Sequence, residues 1–389
     1  MKLLHKKFNS LYGTSLVEVL SCFAPGRINL IGEHIDYNGG PVMPFSISNG
    51  TTLLLRENNL GVHRFYSMNF PGQVHTVSVQ KQYHKIENHW FNYPLACLEM
   101  LNDINLSITV GVDFLFSGDI PNGAGLSSSA SIEVATLFGL NKYFKIGLQN
   151  IDIVLLAKKA ENDFIGLSCG IMDQYAVTFG KSGNVLLLQC DIPEHKYVAA
   201  DLGEYEIMAI HTGVKRGLTA SKYNERYTSC MEAFALLKPR FKLKNLCDLS
   251  LSDLSEASSI LGKDSELFQR TRHVVSEKER VLQAEAALIS GDMVLLGKLL
   301  NESHDSLKND YEVTGFELDS LVEVLQGIDG VAGARMTGAG FGGCAVSLAK
   351  KGVIQQYKSV ISKKYKALTG LQPELYLAVP SDGVSLTAC

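Results

Sequence analysis

Apolar and polar residues alternate at Thr51–Leu55, His63–Tyr66 and Val74–Val79, with polar or glycine-containing turns between the runs, which predicts antiparallel strands. Ile108–Phe116 predicts a further strand, and Val185–Cys190 and Tyr205–His211 predict two compact apolar ones. Ser128–Phe144 is apolar on most sides and free of proline, the pattern of a buried helix, with shorter helices expected at Trp90–Leu101 and Ile151–Asn162. Further on, Ser221–Leu237, Leu267–Ile289 and Met293–Asp305 carry apolar residues three and four positions apart and predict helices. A strand–turn–strand over Ala332–Leu348, a helix near Ile354–Leu368 and a strand at Glu374–Val379 close the chain. The elements do not alternate as βαβ units, so the expected fold class is α+β. At 389 residues the chain exceeds the size at which one hydrophobic core keeps growing, so two domains are expected, 1–200 and 201–389.

Composition narrows the function. With 46% hydrophobic and 20% charged residues, this is the make-up of an ordinary globular protein. A net charge of −4 offers no basic field for nucleic acid and no attraction to an anionic membrane. The N-terminal MKLLHKKFNSLYG lacks the apolar centre of a secretion signal, and no apolar run approaches the length of a membrane span. Eight cysteines are scattered without a C-x-x-C pair, and ten histidines show no metal-ligand spacing. Reduced thiols in a cytoplasm are expected, with no obligate protein partner evident.

The candidate chemistry is concentrated in four segments. In Ala24–Gly40, APGRINLIGEHIDYNGG, Arg27, Glu33, His34 and Asp36 are bounded by Gly26, Gly32, Gly39 and Gly40. Two carboxylates and an imidazole can accept hydrogen bonds from the hydroxyls of a polyol. The alternative is a salt-bridged turn, but a proline and four glycines forcing the backbone around the charges favour a polyol pocket. In Pro121–Ser131, PNGAGLSSSAS, Gly123 and Gly125 allow close backbone approach. Ser127, Ser128 and Ser129 precede the unpaired N–H groups of a helix start, an anion cradle rather than a single serine cap. Gly338–Gly343 fits G-x-G-x-x-G literally but leads into the apolar run Cys344–Leu348 instead of a helix, so a dinucleotide site is rejected for a tight turn between strands. Cys169–Gln174, CGIMDQ, follows the helix carrying Glu161, and Asp173 taken alone reads as a helix cap.

These segments resemble those of galactokinases, sugar kinases of the GHMP superfamily. Ala24–Gly40 resembles the family's first signature, Pro121–Ser131 its P-x-x-x-G-L-x-S-S-A motif, and Ala334–Val346 reads ARMTGAGFGGCAV as the family does. The stretch from Glu161 to Gln174 is similar to the family's AEN-x-F-x-G-x-x-CGIMDQ. The resemblance implies a two-domain GHMP kinase fold, an N-terminal ribosomal-S5-like domain and a C-terminal ferredoxin-like domain with the active site between them. It implies galactose and ATP as substrates, galactose 1-phosphate and ADP as products, and Mg²⁺ as cofactor. Carried over residue by residue, it implies that Asp173 and Arg27 activate the sugar, with Glu33, His34, Ile35, Asp36 and Tyr223 binding it. Ser67 and Gly123, Ala124, Gly125, Leu126, Ser127, Ser128 and Ser129 would hold the nucleotide, and Ser129 and Glu161 the metal. Ile35 stands where the family usually has Thr, which bears on fine sugar selectivity. Intact phosphate-loop and Asp173 positions favour an enzyme over a silent sugar sensor.

Overall fold

In the computed structural model of the chain, residues 1–87, 89–121, 125–214 and 219–387 are described, without the side chains of residues 219 and 220. The first sheet runs in the order Ser385–Leu386, Leu20–Asn29, Pro44–Asn58, Gly111–Gly118, Val62–Ser67, His75–Ser78. The expected run of antiparallel strands is corrected at one place. Gly111–Gly118 inserts between Pro44–Asn58 and Val62–Ser67, antiparallel to the first and parallel to the second. The parallel register sets Phe65 opposite Phe114 with their rings stacked 5.0 Å apart, and Phe91 stacks on the other face of that group at 5.5 Å. A parallel pair needs a long crossover, and the segment holding the helix Asn92–Asp103 supplies it.

The predicted helix Ser128–Phe144 forms with those bounds and buries Val134, Ala135, Leu137 and Leu140 against the first sheet and its neighbouring helices. The expected helix at Ile151–Asn162 divides into Asn150–Lys159 and a π-helical turn, Ala160–Ile165, a local widening that occurs often at functional sites. Helices Thr219–Phe241, Glu266–Ser290 and Met293–Asn309 pack together, as their apolar spacing predicts. A second, antiparallel sheet has the order Val331–Thr337, Cys344–Lys350, Tyr205–His211, Glu374–Ala378. Helices Lys2–Tyr12 and Phe316–Gln326 and strand Glu194–Ala199 are additional to those the sequence pattern predicts. Leu4, Phe8, Leu11 and Tyr12 lie on one face of Lys2–Tyr12 and pack together, a helical spacing within reach of the sequence pattern.

One hydrophobic core runs from Ile28 and Phe45 through Val274 and Leu296 to Val346, joining both halves of the chain. The last described strand returns to the first sheet, where Leu386 lies opposite Cys22. Among the described residues no helix is long and apolar enough to cross a membrane.

Candidate active site

Strand Leu20–Asn29 is irregular between Pro25 and Arg27, and the Arg27 N–H leaves the strand pairing to donate to the Leu126 carbonyl at 3.2 Å. This directs a nearly buried guanidinium toward the start of helix Met172–Phe179. There Nε and Nη2 of Arg27 donate to Oδ1 and Oδ2 of Asp173 at 2.7 and 2.6 Å, and Nη1 donates to the Gly125 carbonyl at 2.7 Å. The fork fixes the carboxylate in both position and plane. Ser127 sits at the N-terminus of helix Ser128–Phe144 with φ of 60°, a left-handed conformation costly for a non-glycine residue. Its hydroxyl makes no cap and donates to Asp173 Oδ2 at 2.5 Å.

The residues of the first signature then diverge. Glu33 Oε1 accepts from Arg335 Nη2 at 2.5 Å, Thr337 Oγ1 at 3.0 Å and the Gly338 N–H at 2.8 Å. His34 is left-handed (φ 62°), and burial, opposed by the Ala339 backbone, lowers its pKa to about 3, so the imidazole is neutral. Burial and then the charge of Asp173 raise Asp36 to about 7. A Cβ on Gly170 would lie 1.9 Å from Asp36 Oδ2, so only glycine leaves that carboxylate its place. Ile35 has its side chain fully buried in the core beneath the turn and outside the cavity lining, which leaves its backbone as the part within the turn. The left-handed backbone at His34, followed by a tight helical turn from Asp36, packs Ile35 inward while His34 and Asp36 line the cavity.

Arg27, Glu33, His34, Asp36, Gly125, Ser127, Ser128, Ser129, Glu161, Asp173 and Tyr223 line one cavity of about 280 Å³. Leu126 is not among them; its side chain belongs to the core and only its carbonyl faces Arg27. Gly123 and Ala124 lie outside the described residues. Ser67 lines an adjoining pocket with Phe70, Trp90 and Phe116, joined to the main cavity through the shared walls Tyr93, Ser128 and Ser129.

Ser129 and Glu161 are among the oxygen-bearing walls of the cavity, the donor type a hard cation takes. Burial raises the Glu161 carboxyl, while the Ser129 hydroxyl hydrogen-bonds it and pulls the other way. Gln174 Nε2 donates to Glu161 Oε2 at 2.7 Å, orienting it. Among the described residues no three His, Cys, Asp or Glu side chains converge as a self-sufficient metal site, so any cation here would take further oxygens from a ligand or water.

The sequence pattern does not mark Tyr93 as a cavity wall, nor Arg335 as the partner of Glu33. Arg335 stands inside a recognised motif, and its position beside the glycine-rich turn was the available signal. Tyr93, near the start of an apolar helix, carries no comparable mark.

Three family models match the chain: the galactokinase galactose-binding signature over residues 6–57, the GHMP kinases N terminal domain over 92–181 and the GHMP kinases C terminal domain over 284–367. The galactokinase of Clostridium tetani is 42% identical over 381 residues, covering 98% of this chain and 96% of its own. That of Fusobacterium nucleatum is 43% identical over 368 residues, 94% of each. The crystal structure of Lactococcus lactis galactokinase complexed with galactose superposes with a TM-score of 0.96 at 39% identity, over 99% of both chains. Methanococcus jannaschii mevalonate kinase, 17% identical, shares the fold with a TM-score of 0.65 over 97% of this chain and 100% of its own. The expected two-domain α+β GHMP kinase fold is thus the observed one. With sequence and fold in agreement along almost its entire length, this chain belongs to the galactokinases, the branch of the GHMP kinases that phosphorylates a sugar hydroxyl with ATP as co-substrate.

Proposed function

We propose that the chain phosphorylates α-D-galactose at the anomeric hydroxyl, giving galactose 1-phosphate and ADP in the cytoplasm. The observation that carries this reading is the Arg27–Asp173 fork, set in one cavity between the Glu33–Asp36 turn and the serines at the helix start. A carboxylate has about four lone-pair sites. Arg27 and Ser127 occupy three of those on Asp173, which leaves one for the anomeric hydroxyl. Asp173 orients that hydroxyl and takes its proton as the O–P bond forms, while Arg27 stabilises the charge in transfer. Phosphoryl transfer proceeds through a loose transition state, so positioning and charge neutralisation are most of what the protein must supply.

His34, Asp36 and Tyr223 bind the sugar, with Glu33 bracing the turn that carries them. Ser127, Ser128 and Ser129, with the neighbouring Gly123, Ala124 and Gly125, cradle the triphosphate at the helix N-terminus. The aromatic pocket of Ser67 and Trp90 takes the nucleoside. Ser129 and Glu161 hold Mg²⁺, which when bound neutralises the phosphate oxygens. Two domains, 1–200 and 201–389, flank the cleft, with the strand Ser385–Leu386 reaching back to the first sheet.

An ADP-release assay of the purified chain against galactose, N-acetylgalactosamine, mevalonate and homoserine tests the reading, with Asp173→Ala as the companion variant. Galactose should be turned over fastest, and the variant should lose about 10²- to 10⁴-fold in kcat while remaining folded. No ADP release with galactose, or near-normal turnover by Asp173→Ala, would refute it.

A further inference from the structure

A line of buried polar groups leads away from the sugar side of the cavity. His34 Nδ1 lies 2.8 Å from the Tyr37 hydroxyl, which lies 2.8 Å from the Tyr311 hydroxyl, which in turn lies 3.0 Å from Cys230 Sγ. The rings of Tyr223 and Tyr311 close on the imidazole at 5.4 and 4.8 Å, and Tyr227 packs on Tyr37 at 5.6 Å. Three separate elements build this line: the Asp36–Asn38 turn, the loop after helix Met293–Asn309, and helix Thr219–Phe241. No part of the proposed chemistry uses Tyr37, Tyr311 or Cys230, and each is tied into the line with its ring or thiol in the core.

A neutral imidazole has one N–H and one lone pair, so the partner of Nδ1 decides what Nε2 presents. His34 lines the cavity, and among the described residues its Nε2 meets no hydrogen-bond partner of good geometry. We propose that Tyr37 and Tyr311 are positioning residues that fix the His34 tautomer and so make Nε2–H a donor aimed at a sugar oxygen. The Cys230 thiol donates to Tyr311, Tyr311 to Tyr37, and Tyr37 to His34 Nδ1. This polarity matches the more acidic phenol to the more basic ring nitrogen. The reverse polarity would leave a phenol donating to sulfur, a weak acceptor, and present an Nε2 lone pair to the cavity instead of a donor. The pocket would then set one donor among the carboxylate acceptors Asp36 and Asp173, a pattern that selects an oxygen lying between them.

This inference deepens the proposed function and rests on it. In the full-length chain, Tyr37→Phe should raise the galactose KM about tenfold, the loss of about one oriented hydrogen bond, with kcat and the ATP KM within about twofold of wild type. Tyr311→Phe, one link further away, should raise it about threefold, and Tyr227→Phe, which loses a hydroxyl outside the line, should leave it unchanged. Nitrogen-15 NMR of the ring nitrogens, assigned with His34→Asn, should show His34 as the Nε2–H tautomer in the wild type and as a mixture in Tyr37→Phe. An Nδ1–H tautomer in the wild type, or an unchanged galactose KM in both Tyr37→Phe and Tyr311→Phe, overturns the inference. If the wild type does not turn over galactose, the functional reading fails instead, and the nitrogen spectrum still decides the tautomer.

Discussion

Arg335 Nη2 lies 2.5 Å from Glu33 Oε1 with both side chains buried, so the first signature is bolted to a strand 302 residues further along the chain. The same guanidinium lies 3.8 Å from Glu277, whose Oε1 also receives the Gly32 N–H at 3.0 Å. Burial alone would raise the Glu277 carboxyl, but Arg280, His273 and Arg335 outweigh it and hold the group near a pKa of about 2. Removing Arg335 therefore leaves the Glu33 carboxylate in the interior without its cation, while Glu277 keeps Arg280. Arg335→Met should destabilise the fold by about 3–5 kcal/mol, read as a lowered urea midpoint. A midpoint within experimental error of wild type would show that this pair holds nothing together.

Asp36 carries a pH signature. Its ordinary pKa of 3.8 is raised to about 7, first by burial and then by Asp173. The folded chain binds this proton more tightly than the unfolded one, so the contribution to stability is complete below about pH 4 and is lost as pH rises through about 7. Asp36→Asn removes the ionised carboxyl. Its Tm should exceed that of wild type at about pH 8, with the advantage gone at about pH 4, while galactose turnover falls. Equal Tm differences at the two pH values would contradict this.

Gly170 is a test of space rather than of backbone freedom. A methyl there meets Asp36 Oδ2 at 1.9 Å and the Tyr37 N at 3.0 Å. Gly170→Ala should displace the Asp36 carboxylate and raise the galactose KM by about tenfold or more, while the ATP KM holds. A parallel rise in both constants would point to a general loss of the fold.

The single tryptophan, Trp90, lines the pocket beside Ser67 and packs edge-on against Phe116 at 5.7 Å. ATP entering that pocket should change the intrinsic tryptophan fluorescence in a saturable way, and galactose alone should not. Ser67→Trp, which fills the pocket, should weaken the ATP response without altering galactose binding measured by calorimetry. A fluorescence response to galactose alone, with none to ATP, would exchange the two pockets.

Much of the fold was legible because it is governed by local spacing. Helix Ser128–Phe144 and strand Tyr205–His211 form with the bounds their apolar periods predict. The site residues were legible through motifs in which several special residue types crowd together, as at Arg27, Glu33, His34 and Asp36. Glycines in these segments mark where backbone must approach another group, and Gly170 is such a place.

The amino-acid sequence alone determined the element types, the charged turn, the serine-rich helix start and the family resemblance, since each is a property of neighbours along the chain. Only the tertiary structure decided that Gly111–Gly118 separates two strands expected to be neighbours, because pairing order depends on which faces stack in the core. It also decided that Ile35 turns inward, that Ser127 serves Asp173 instead of capping its helix, and that Glu33 belongs to Arg335. A side chain's direction is set by the dihedral angles of its turn, and a buried charge's partner by what lies across the core. Both are long-range outcomes of packing that no window of neighbouring residues contains.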